Sequence, residues 1–129
     1  MNVPKHTVTW FEIPVSDLER ASKFYSAVFE ETLKAEESQG GMKMAVFPSK
    51  GEPGDYVVHG ALVQADGYEP GNSGALVYFN GGQDLSGALG RVVEAGGKVL
   101  LDKMSIGDHG FIAWFQDSEG NRVALHSPS

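Results

Sequence analysis

Glu12 is the residue of this chain whose placement calls for a chemical reason. Residues 7–13 read Thr-Val-Thr-Trp-Phe-Glu-Ile, so Val8, Trp10 and Glu12 share one face of an extended run and Thr9, Phe11 and Ile13 the other. A carboxylate buried in such company must be hydrogen-bonded, paired or protonated. Glu12 is therefore the candidate general base or cation-binding group; simple pairing with Arg122 or a histidine is the structural alternative. The same alternation collects His59, Tyr78, Arg122 and His126 on the faces of other extended runs. If Gln116 pairs with Arg122 across a hairpin, Trp114 falls opposite Ala124 and joins them. Trp10, Glu12, His59, Tyr78, Trp114, Arg122 and His126 together would form aromatic walls with a few polar groups, which suits a small organic ligand. His109 reads as a loop residue, His6 has no assigned role, and Met42 and Met44 read as core. No serine sits in a Gly-x-Ser-x-Gly elbow, and the glycine pairs lack the context of a phosphate or dinucleotide loop.

The elements that would position these residues come in a repeated order. Thr7–Ile13 reads as a strand ended by Pro14, expected to be central in its sheet and covered by the first helix. Asp17 is placed to cap that helix, whose apolar stripe is Leu18, Ala21, Phe24, Tyr25, Val28 and Phe29. Strands follow at 32–36, 42–48 and 57–64, with strong turn chemistry between the last two in Ser49–Asp55. Residues 65–73 carry Gly67, Pro70 and Gly71 and read as a connector. The second half has a strand at 75–80, a helix capped by Asp84 and stopped at Gly96-Gly97, then strands at 98–102, 110–116 and 122–126. The last two are joined through Ser118-Glu119-Gly120, a hairpin signal. The pattern is β-α-β-β-β twice. It predicts one α+β domain over 1–129, with modules at 7–64 and 74–127 forming a curved sheet around a cavity.

Composition bounds the function. With 41% hydrophobic and 21% charged residues, the 129-residue chain has an ordinary globular make-up. A net charge of −7 disfavours nucleic acid and weakly favours a cationic ligand. The lack of cysteine excludes disulfides, Cys-ligated metals and Cys nucleophiles. No apolar run approaches a membrane span, and residues 1–6 lack a signal-peptide core, so a cytoplasmic protein without membrane contact is expected.

Three segments carry a family resemblance. Asp17-Leu18-Glu19-Arg20-Ala21-Ser22-Lys23-Phe24-Tyr25 after the first strand, Gly74 to Gly97, and the Asp117-Ser118-Glu119-Gly120-Asn121 hairpin together resemble the vicinal oxygen chelate superfamily, which holds glyoxalases, bleomycin resistance proteins and dioxygenases. The resemblance implies the double-module fold and a homodimer. It also implies metal ligands on the first, fourth, fifth and eighth strands. Those places fall here on Trp10, Ala61, Ala75 or Leu76, and Ala124, none of which ligates a metal. No metal ligand and no cofactor is therefore assigned, although a divalent metal at another position stays open. Three readings follow: a metal-independent small-molecule binding protein, a glyoxalase-type lyase or isomerase with a displaced metal site built from Glu12, His59 and His126, and a ligand-sensing accessory domain.

Overall fold

The computed structural model describes residues 6–37, 41–51 and 57–129. Its elements are β1 (Trp10–Pro14), α1 (Leu18–Phe29), β2 (Lys34–Glu37), β3 (Lys43–Val46), β4 (His59–Gln64), β5 (Tyr78–Asn80), α2 (Ser86–Ala95), β6 (Lys98–Ser105), β7 (Phe111–Gln116) and β8 (Arg122–Ser127). The order β-α-β-β-β therefore occurs twice, as the sequence pattern predicts. The strands make two four-stranded sheets, β1-β4-β3-β2 and β5-β8-β7-β6. In each, the first strand lies parallel to the last and the remaining pairs are antiparallel. The expected turn at Ser49–Asp55 lies partly outside the described residues.

Local chemistry explains most boundaries. Asp17 caps α1, its Oδ1 accepting the Arg20 N–H at 3.0 Å. Asp84 does not cap α2 in the same way. Leu85 takes the cap position, and Asp84 accepts the Ser86 N–H and the Lys103 ammonium, each at 2.9 Å. β5 is shorter than the alternation suggests, beginning at Tyr78, because only Tyr78–Asn80 pair with β8. β6 runs on to Ser105, its register against β7 shifting twice along the way.

One expectation fails. β1 is an edge strand, and β4 holds the inner place between β1 and β3. Phe11 and Ile13 made β1 look central, but a helix covers that face whichever place the strand takes. Ile13 on β1 and Ala21, Phe24, Tyr25 and Val28 on α1 are all buried.

The halves share a single core. Phe24 of α1 lies 6.0 Å from Phe115 of β7, and Phe79 of β5 lies 5.6 Å from both Phe11 and Tyr25. Arg91 of α2 reaches across to donate to the Val28 carbonyl at 2.8 Å. Both sheets therefore turn one face to the helices. With Phe11 and Ile13 inward, strand alternation sends Trp10 and Glu12 to the opposite face of the first sheet. With Phe79, Phe115, Val123 and Leu125 inward, it sends Tyr78, Trp114, Arg122, Ala124 and His126 to the opposite face of the second.

Candidate functional site

On the first sheet the ladder sets Trp10 beside His59 and Glu12 beside Ala61. The Trp10 indole Nε1–H donates to Glu12 Oε2 at 3.2 Å, and the Tyr68 hydroxyl donates to Glu12 Oε1 at 2.8 Å. Tyr68 reaches back over the sheet because the connector turns sharply there. Gly67 adopts φ +86°, and the Tyr68 N–H closes onto the Ala65 carbonyl at 3.1 Å. Its hydrogen bond to Glu12, then burial and the Glu12 charge, raise the Tyr68 pKa, so the phenol keeps its proton and remains a donor. Glu12 is half-buried and, among the described residues, has no cationic partner.

The second sheet carries a matching cluster. The Trp114 Nε1–H donates to the Tyr78 hydroxyl at 3.0 Å, and the Arg122 guanidinium lies 5.4 Å from the Trp114 ring centre. Arg122 Nη2 touches the Gly74 carbonyl at 3.4 Å, and its Nε is buried without a hydrogen-bond partner among the described residues. Tyr78 and Trp114 flank Ala124, and Arg122 pairs with Gln116, as the hairpin reading expects. His126 stands apart. Its Nε2 lies 2.6 Å from the His109 carbonyl, which only accepts, so Nε2 carries the proton and the ring pins the turn before β7.

The seven expected residues thus lie on the faces turned away from the helices but divide between two sheets, and they do not line one common cavity among the described residues. Trp10 and Tyr78 are each 43% exposed, and His59 and His126 are exposed as well. Among the described residues the surface clefts include four of about 470 to 810 Å³, and Tyr78 borders one of them, the ≈770 Å³ cleft that Phe11, Phe29, Phe47 and Phe79 line. None of the other six borders any of the four. Tyr68 was not legible in the sequence. It lies in a loop with no periodicity, and its partner is 56 residues away.

Glu12 pairs with Ala61 and Tyr78 with Ala124; with Ala61 and Ala124 matched through the internal repeat, Leu76 is the counterpart of Trp10.

The sequence profile of the Glyoxalase/Bleomycin resistance protein/Dioxygenase superfamily matches residues 6–125. The chain belongs to that superfamily. A glyoxylase-like domain-containing protein of Didymella fabae is 34% identical over 119 residues, 92% of this chain and 91% of that one. Among solved structures, a glyoxalase/bleomycin resistance protein from Albidiferax ferrireducens T118 superposes with a TM-score of 0.69 at 14% identity, covering 96% of this chain and all of that one. TnmS3, an antibiotic binding protein from Streptomyces sp. CB03234, superposes with a TM-score of 0.66 at 26% identity, covering 99% and 100% of the two chains. The superfamily's metal places do not fit a metal in this member. The residues that the resemblance puts at those places, Trp10, Ala61, Ala75 or Leu76, and Ala124, supply no donor, and among the described residues no three His, Asp or Glu side chains converge.

Proposed function

We propose that this protein is a metal-independent small-molecule binding protein that takes its ligand on the aromatic faces opposite the helices and acts as a homodimer. One observation carries the reading. The superfamily's four ligand places hold side chains without donors, while the same faces present Trp10, Tyr68, Tyr78 and Trp114. Aromatic walls with few, well-placed polar groups are the usual make-up of a site for organic molecules. The likeness to an antibiotic binding protein at 26% identity supports the same reading. The two clusters lie on different modules and are both open, so a second copy is the natural cover that would set one module's face against the other's. Glu12 orients the ligand rather than a metal.

Metal analysis and calorimetry with Zn, Ni, Mn and Fe test the proposal. Protein purified without added metal is expected to hold less than about one tenth of an equivalent, as a donor-free set of positions requires. Near-stoichiometric metal that disappears in Glu12→Ala would favour a glyoxalase-type enzyme with a displaced centre.

A further inference from the structure

We infer that the ligand carries a positively charged nitrogen and that Glu12 is its anchor. The inference rests on the binding-protein reading above and names the chemistry of that site. A carboxylate offers about four lone-pair directions. In Glu12 two are taken, one oxygen by the Trp10 indole N–H and the other by the Tyr68 hydroxyl. Both donors are neutral. They fix the carboxylate in place but leave its whole negative charge uncompensated, and no Lys, Arg or His pairs with it among the described residues. The neighbour across the ladder is Ala61, which brings no polar or charged group to the carboxylate, and Glu12 itself stays half-exposed. Trp10, 43% exposed, presents its ring next to the same charge.

A fixed carboxylate beside an open indole face is suited to an alkylated or aromatic ammonium. The charge meets Glu12, and the polarised C–H groups around the nitrogen rest on the ring, which attracts cations within about 6 Å of its centre. The chain's net charge of −7 raises the local concentration of such a ligand. An anionic ligand would be repelled by Glu12, and a neutral one would leave the carboxylate's charge uncompensated.

The test is an NMR titration of the full chain in which the two tryptophan indole N–H resonances are followed, with Trp10 assigned through Trp10→Phe. The probes are benzyltrimethylammonium, benzyl alcohol and benzoate. The expected result is a saturable shift of the Trp10 signal with benzyltrimethylammonium, at least tenfold tighter than with either other probe and weakened several-fold when salt is raised. Glu12→Gln should abolish that preference. If Glu12→Gln does not fold, the salt dependence of the wild type serves: an affinity for benzyltrimethylammonium that does not fall as salt is raised overturns the inference. Equal or tighter binding of benzoate or benzyl alcohol at Trp10 overturns the cation inference while leaving the binding-protein reading standing. Failure of every probe to move either indole signal sinks both.

Discussion

Arg20 at the start of α1 grips Glu119 in the hairpin between β7 and β8, Nε to Oε2 at 2.7 Å and Nη2 to Oε1 at 2.9 Å, across 99 residues of chain. The same Glu119 Oε1 accepts the Ser16 and Asp17 N–H groups at 2.9 Å each, and its side chain is 0% exposed. The hairpin of the second module thereby closes the turn leading into the first module's helix, where the helix dipole favours a negative charge. It adds a charged contact to the shared core that joins the two modules.

Glu119→Gln keeps the shape of that contact and removes its charge. We expect a loss of about 1.5–3 kcal/mol at neutral pH, the range for hydrogen bonds to charged groups. Urea unfolding of the two proteins measures it. A change below about 0.5 kcal/mol, the usual size for surface substitutions, would mean that the contact does not hold the modules together.

The same group predicts an acid limb. Burial would raise the Glu119 pKa, but the Arg20 hydrogen bond, followed by those from Asp17 N–H, Ser118 Oγ and Ser16 N–H, outweighs it and brings the pKa from 4.5 to about 2. A carboxylate with a lower pKa folded than unfolded stabilises fully above its unfolded value. Its contribution then fades as pH falls through the folded one. The wild type should therefore lose more stability than Glu119→Gln between pH 4.5 and pH 2. Urea midpoints for both proteins across that range check it, and parallel curves would refute it.

A second lock lies deeper. The Tyr25 hydroxyl donates to Asp117 Oδ2 at 2.6 Å, and Asn121 Nδ2 donates to the same oxygen at 2.9 Å and to the Pro14 carbonyl at 2.8 Å. Burial, then the charge and hydrogen bond of Asp117, push the Tyr25 pKa well above its ordinary value. Tyr25→Phe should cost about 1–2 kcal/mol, and Asn121→Ala more, since Asn121 also accepts the Gly71 N–H and its loss strands several buried groups. Equal costs in thermal or urea unfolding would show that Asn121 adds nothing beyond the Tyr25 contact.

Gly60 is required by a neighbouring ring. A Cβ there would fall on the Phe11 side chain, its partner across the β1–β4 ladder. Gly60→Ala should therefore destabilise by about 1–3 kcal/mol, the usual cost of overpacking. The penalty should shrink in a Phe11→Leu background, because the two positions are in contact. A Gly60→Ala cost that is the same in both backgrounds would place its cause in the backbone rather than in the ring.

Much of the fold was legible because it depends on periods. The two β-α-β-β-β units, the faces of β1, the Asp17 cap and the Trp114–Ala124 and Gln116–Arg122 pairings all follow from alternation, helical spacing and turn residues. Relations set only in three dimensions were not legible. Nothing near Tyr68 announces that Gly67 will turn it onto Glu12, and Glu119 looked like an ordinary turn residue until the first helix was docked against it. The edge position of β1 was hidden because the helix buries Phe11 and Ile13 in either arrangement. Asp84 differs from Asp17 in accepting the N–H two residues on, at Ser86, rather than three, and in also holding Lys103.

The open sheet faces make the last prediction. Trp10 and Tyr78 are 43% exposed and Met104, paired with Ile112 on β7, is 45% exposed, so these faces carry exposed apolar side chains that a second copy would cover. We expect sedimentation equilibrium to report a dimer. Met104→Glu should fold as the wild type does, since the side chain already meets solvent, yet weaken self-association by at least about tenfold, or about 1.4 kcal/mol. Val93 is the control: at 66% exposure it is as apolar and open as Met104 but sits on α2, away from both faces. Val93→Glu should leave the dimer intact. A wild type that stays monomeric at every concentration would remove the second copy from the proposed site. A dimer broken by Val93→Glu and not by Met104→Glu would place the interface on the helices.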